Sequence, residues 1–128
     1  MDISRLMFRE GLMEGERILV TGGGTGLGKE MADAFLKLGA EVHICGRRQS
    51  KLDEAARELG ERHGGKIVGH ACDIRDPDAI HDMVDAIWDH GALTGVVNNA
   101  AGNFISRTED LSVNGFNAIS DIVFRGSF

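Results

Sequence analysis

The sequence predicts an α/β fold, a parallel sheet with helices on both faces, and three observations predict it. Short apolar runs alternate with amphipathic stretches along the chain. A glycine-rich turn joins the first apolar run directly to the first amphipathic stretch. No apolar run approaches the length of a membrane span.

Met1 to Gly15 reads as a leading arm without chemistry, and residues 16–128 as one incomplete domain. Arg17 to Thr21 is the first strand, apolar enough to be buried on both faces. A helix follows from about Gly26 and ends near Gly39, which suits a C-cap. Val42 to Cys45 is the second strand, closing at Gly46. Ser50 then reads as an N-cap with Asp53 completing a capping box. Leu52, Ala55, Ala56 and Leu59 share one face of the helix that follows, which Gly64-Gly65 ends.

Lys66 to Cys72 is the third strand. Asp76-Pro77 starts the next helix, an acidic cap with proline at the first position. Its apolar face carries Ile80, Met83, Val84, Ile87 and Trp88. Leu93 to Asn98 is the fourth strand. Ser112 to Phe128 reads as a last helix, with Phe116, Ile119, Ile122 and Val123 on one side. The alternation matches the first half of a doubly wound, Rossmann-type sheet, cut off within the helix after the fourth strand.

The chemistry concentrates at Thr21, Gly22, Gly23, Gly24, Thr25, Gly26, Leu27 and Gly28. Glycines let the backbone turn sharply through positive φ and let a ligand approach the main chain. The first amides of the following helix are unpaired and sit at the positive end of its dipole, a cradle for a phosphate or diphosphate. The spacing is T-G-x-x-x-G-x-G rather than G-x-G-x-x-G, and no G-K-[ST] follows. The alternative is a flexible linker, which the ordered patterns on both sides oppose.

At the end of the second strand, an acidic residue would select NAD by bonding the adenosine ribose hydroxyls. Here Gly46 leads into Arg47 and Arg48. Two guanidinium groups suit a 2′-phosphate, so NADP is expected, with a solvated basic turn as the alternative. Asp73 follows the third strand where an adenine would lie, or it caps the next turn. Arg75 meets a second phosphate-bearing ligand or pairs with Asp76 or Asp78. The fourth strand ends in Asn98-Asn99-Ala100-Ala101-Gly102-Asn103-Phe104, amide and small side chains at the crevice where open sheets bind ligands.

Together the glycine turn, Asp73 and the N-N-A-A-G segment resemble the short-chain dehydrogenase/reductases, from Arg17 to the last residue. Within that family the chain is most similar to the 2,4-dienoyl-CoA reductases. It shares their T-G-G-G-T-G-L-G-K turn, N-N-A-A-G-N-F segment and D-I-V stretch at Asp121 to Val123. Most of the family has a catalytic asparagine where Val123 stands, and its absence is typical of the dienoyl-CoA reductases.

The resemblance implies that the turn from Thr21 to Gly28, with Arg47, Arg48, Asp73 and Ile74, binds NADP. Asn99, Ala100 and Gly102 then support its adenosine and ribose side. Arg75, Asn103, Phe104 and Ser112 meet an acyl-CoA substrate. Hydride passes from NADPH to the far end of a conjugated dienoyl thioester, and the dienolate is then protonated. Asn103 is the candidate catalytic donor to the thioester oxygen, where charge develops. Its alternative role is to hold the loop.

The family's tyrosine acid and its lysine partner have no counterpart, because the chain has no tyrosine and its lysines all precede the fourth strand. The sequence is therefore expected to be an amino-terminal piece of a longer reductase, binding NADP weakly at most and without turnover. The fourth strand is expected to be an unpaired sheet edge, and the full-length form a homo-oligomer. Alternative readings are another NADP-dependent enzyme acting on a ketone or alcohol, and a nucleotide-binding protein without chemistry.

A formal net charge of -6 argues against a nucleic-acid surface. The first ten residues lack a secretion signal, and any carboxy-terminal peroxisomal signal lies beyond this sequence. Two cysteines suggest no disulfide framework, so a cytoplasmic location is expected. His43-x-Cys45 and His70-x-Cys72 fall on neighbouring strands with zinc-type ligands, but covered sheet faces commonly hold such residues, and no metal is expected. His63, His81 and His90 read as solvated.

Overall fold

The computed structural model describes residues 7–102 and 105–128. Four strands form one parallel sheet in the order β3-β2-β1-β4. They are β1 (Arg17–Thr21), β2 (Glu41–Gly46), β3 (Ile67–Ala71) and β4 (Gly95–Val97). The helices are α1 (Gly26–Lys37), α2 (Gln49–His63), α3 (Pro77–Trp88) and α4 (Val113–Ser120).

The continuous apolar runs of β1 and β2 follow from helices on both sides of them. On one face Ile18, Val20, Val42 and Ile44 pack with Ala32 and Leu36 of α1 and Leu52, Ala55 and Leu59 of α2. On the other, Leu19, Cys45 and Cys72 pack with Met83 and Ile87 of α3. The period of two along a strand thus sends alternate residues into two separate cores. Trp88, expected on the apolar face of α3, is 58% exposed. The leading segment joins the same body, since Met13 packs on the first core and its N–H donates to the Leu38 carbonyl at 2.9 Å.

Two helix ends differ from expectation. α2 begins before Ser50, because the Arg48 carbonyl already accepts from the Lys51 and Leu52 amides. Arg48 occupies the N-cap without a side-chain bond, and Asp53 accepts from Gln49 Nε2 at 2.7 Å instead of closing a capping box. The last helix runs from 113 to 120 and then widens into a π-helical turn, Asp121–Arg125. β4 is shorter than Leu93 to Asn98 because side chains take over its ends: Arg17 N–H donates to Thr94 Oγ1, and Asn99 N–H to Thr21 Oγ1. α3 begins as expected, with Asp76 accepting from the Asp78 and Ala79 amides.

β4 is one edge of the sheet among the described residues, as β3 is the other, and Val96 on β4 is 53% exposed. Phe116 on α4 and Val123 and Phe124 on the turn after it are exposed as well. Among the described residues no helix is long and apolar enough to cross a membrane.

Candidate functional site

The carboxyl ends of all four strands open into a cavity of about 340 Å³. Gly22, Gly24, Thr25, Arg47, Arg48, Asp73, Ile74, Arg75, Asn99 and Ala100 border it. Sequence positions from four separate segments are therefore brought to one place, at the crevice where open α/β sheets bind ligands.

The glycine turn has distinct reasons for its glycines. Gly22 turns at φ +67°, which side-chain-bearing residues rarely adopt, while its N–H donates to the Cys45 carbonyl at 2.9 Å. A Cβ on Gly28 would lie 2.3 Å from the Gly22 carbonyl oxygen and 2.6 Å from Asn99 Nδ2. A Cβ on Gly23 would lie 2.5 Å from Ile44, so this glycine seats the turn on the core. Gly26 and Leu27 are exposed at the start of α1 rather than in the cavity wall. Thr25 is the N-cap of α1 in an extended conformation, with no side-chain bond and no acidic residue in the first turn. The positive end of that helix therefore has no side-chain or acidic partner of its own.

Thr21 locks the turn to the fourth strand. Its buried Oγ1 accepts from the Asn99 and Ala100 amides at 3.0 and 2.9 Å and donates to the Val97 carbonyl. Asn99 Nδ2 returns a bond to the Thr21 carbonyl at 2.9 Å. Gly102 lies against Ile122, whose terminal methyl would have to shift to admit a Cβ (2.7 Å).

Arg47 and Arg48 are exposed on the wall formed by the end of β2 and the start of α2. No carboxylate occupies that strand end. Asp73 caps its own turn, accepting from Arg75 N–H at 3.1 Å. The Arg75 guanidinium grips the same carboxylate, Nε at 2.9 Å and Nη2 at 2.5 Å. Arg75 thus pairs with Asp73, not with Asp76 or Asp78; Asp76 is already committed as the α3 cap. Hydrogen bonds from Arg75 hold the Asp73 carboxyl down at about 2. Ser112 lies outside the cavity wall and caps α4, accepting from Gly115 N–H at 3.0 Å. Asn103 and Phe104 lie outside the described residues.

Sequence reasoning missed Lys51, Cys45, Cys72 and Ile122, all of which border the cavity. Lys51 could have been found from its place three residues past Arg48, and Ile122 from the D-I-V stretch. Burial pushes the Cys45 thiol up to about 12 and raises that of Cys72 as well, so neither is a nucleophile at neutral pH.

The histidines lie away from the cavity wall. His43, 3% exposed, bonds His70 through Nδ1 at 2.9 Å and Glu41 through Nε2 at 3.0 Å. Among the described residues no three His, Cys, Asp or Glu side chains are grouped to hold a metal ion. His63 is not solvated as expected: its Nε2 lies 2.8 Å from Asp33, a buried carboxylate that also takes Arg62 at 2.9 Å. The reason is that α1 and α2 run side by side, which sequence spacing does not reveal.

Known proteins resemble this chain throughout. A Caenorhabditis elegans protein named "Probable 2,4-dienoyl-CoA reductase" is 44% identical over 124 residues, covering 95% of this chain and 40% of that protein. A peroxisomal 2,4-dienoyl-CoA reductase of Arabidopsis thaliana is 40% identical, covering 94% and 41%. The chain therefore spans about two-fifths of the length of these curated relatives, at 40% and 41%. A solved structure of the citronellol catabolism dehydrogenase of Pseudomonas aeruginosa superposes with a TM-score of 0.89 at 38% identity, covering 95% of this chain and 50% of that one. The family model described as short chain dehydrogenase matches residues 16–128, from the strand before the glycine turn through the arginine wall to the helix beyond β4. On that match, and on the relatives that share it, the chain belongs to the short-chain dehydrogenase/reductase family.

Proposed function

We propose that this chain forms the NADPH-binding part of a reductase acting on a conjugated dienoyl-CoA thioester. The observation that carries the cofactor reading is the end of β2, where Arg47 and Arg48 border the cavity and the strand end itself carries no carboxylate. The residues fit a dinucleotide: the turn leaves no space for side chains at Gly23 and Gly28, and the uncapped start of α1 faces outward. When bound, the nicotinamide supplies the hydride.

The chain's own residues bind and orient. Amides of Thr25, Gly26 and Leu27 hold the diphosphate at the positive helix end. Arg47 and Arg48 take the 2′-phosphate as planar donors. Asp73 and Ile74 border the adenine, and Asn99, Ala100 and Gly102 the ribose side. On the likeness to the 2,4-dienoyl-CoA reductases alone, Asn103 donates to the thioester oxygen, and Arg75, released from Asp73, meets the acyl-CoA with Phe104 and Ser112. The dienoyl-CoA substrate rests on the names of the 40–44% identical relatives and on Val123, which stands where most of the family has an asparagine. The exposed β4 edge supports association with further chain or a second copy in the full-length form.

The likeness to the citronellol catabolism dehydrogenase favours a second reading, an alcohol or ketone substrate. One experiment separates them. The full-length chain in its natural reading frame is given NADPH with a 2,4-dienoyl-CoA, or with a simple ketone, and loss of the reduced nicotinamide is followed. Oxidation with the dienoyl-CoA alone is expected; oxidation with the ketone alone overturns the substrate.

A further inference from the structure

We propose that Lys51 is a third cation for the phosphate on the adenosine ribose, held on Glu54 until that phosphate arrives. The inference rests on the NADP reading and extends it to a residue that reading does not use. Lys51 lies in the first turn of α2, three residues past Arg48, and borders the same cavity. Its Nζ is 2.7 Å from Glu54 Oε2, and the two side chains are 47% and 53% exposed. An exposed ion pair of this kind contributes little to stability, so it opens readily when a stronger anion is offered.

The neighbouring carboxylates are otherwise engaged. Asp53 accepts from Gln49 at 2.7 Å, and Asp73 is gripped by Arg75. Neither Arg47 nor Arg48 is in direct contact with a carboxylate among the described residues, although the Arg47 charge acts on Asp73 across the cavity. The amino end of α2 adds its own positive potential, having no side-chain cap and no acidic residue in its first turn. A ribose phosphate carries close to two negative charges at neutral pH, more than the single exposed carboxylate of Glu54, and meets three cations and a helix end together. Lys51 then exchanges one oxygen partner for another, with no bond made or broken. An unphosphorylated ribose offers nothing to drive that exchange, so Lys51 discriminates between the two nucleotides.

The test titrates the full-length chain with NADPH and with NADH, reading the fluorescence of the reduced nicotinamide. Wild type is compared with Lys51→Ala, Lys51→Arg, Glu54→Gln and Arg47→Ala. Lys51→Ala is expected to weaken NADPH about tenfold and NADH by less than about twofold, the lower end for a hydrogen bond to a charged group. Lys51→Arg restores most of the loss, and Glu54→Gln tightens NADPH a few-fold by removing the competitor. If wild type prefers NADPH but Lys51→Ala leaves that preference intact, or weakens both nucleotides equally, the role of Lys51 is overturned and the NADP reading stands. If wild type shows no preference and Arg47→Ala changes nothing, the NADP reading itself fails.

Discussion

Replacing Gly28 with alanine tests whether close contact between strand, turn and helix is what shapes the site. The added Cβ would sit 2.3 Å from the Gly22 carbonyl oxygen, 2.9 Å from its carbon and 2.6 Å from Asn99 Nδ2. None of these atoms can swing aside cheaply. Two belong to the backbone of the turn, and the third holds the Thr21 carbonyl at 2.9 Å. Forcing an extra methyl into a packed site costs about 1–3 kcal/mol, and losing the Asn99 bond about 1 more. The sum is roughly 2–4 kcal/mol, which at a typical urea dependence lowers the unfolding midpoint by about 1–2 M. The control is Gly26→Ala, where no atom lies within 4 Å and only φ +55° opposes the side chain. That strain alone costs about 1–2 kcal/mol. Urea unfolding followed by circular dichroism measures both. A Gly28→Ala chain as stable as wild type, or no less stable than Gly26→Ala, refutes the argument.

Other outcomes follow from the same bonds. Thr21→Val removes the acceptor of the Asn99 and Ala100 amides and is expected to cost about 2–6 kcal/mol, from roughly 1–3 for each of the two stranded donors, whereas Thr21→Ser keeps most of the stability. Urea midpoints of the two variants check it. Asp33→Ala leaves His63 and Arg62 without their shared carboxylate and costs about 1–3 kcal/mol by thermal unfolding. Although burial raises the Asp33 carboxyl, bonds and charge from His63 and then Arg62 bring it below its ordinary 3.8. Its contribution is therefore present above that value and lost as pH falls through the still lower folded one. His43 and His70 act in a higher window. Burial pushes both below 6.5, against the pull of Glu41 on His43 and with Arg17, Lys66 and the paired ring adding to the depression. A neutral His43 donates from Nε2 to Glu41 and leaves Nδ1 to accept from His70. The unfolded chain thus takes up protons first, and stability falls as pH drops below 6.5. Unfolding midpoints measured on either side of that pH detect the loss, and His70→Gln flattens the slope.

Much of the fold was legible because its signals are local. Ile18-Leu19-Val20 before a glycine turn, Asp76-Pro77 before an apolar face, and the period of Leu52, Ala55 and Leu59 each depend on residues close in sequence. The errors came where another partner, near or far in sequence, claimed the group. Ser50 failed as a cap because Arg48 began the helix earlier and Gln49 engaged Asp53. Arg75 found Asp73 because Asp76 was spent on the α3 cap. His63 reached Asp33 because two helices lie side by side.

By itself the sequence determined the alternation of strand and helix, the glycine turn between the first strand and helix, and the basic strand end without a carboxylate, since spacing, glycine and charge type act over a few residues. Only the tertiary structure decided which of those groups meet. It set Thr21 under Asn99 and Ala100, gave Asp33 to His63, stacked His43 on His70, and brought Lys51 to the rim of the cavity. The reason is that hydrogen bonds and ion pairs are claimed by whichever partner the packed elements bring within about 3 Å, and that distance is a property of the sheet order rather than of any one segment.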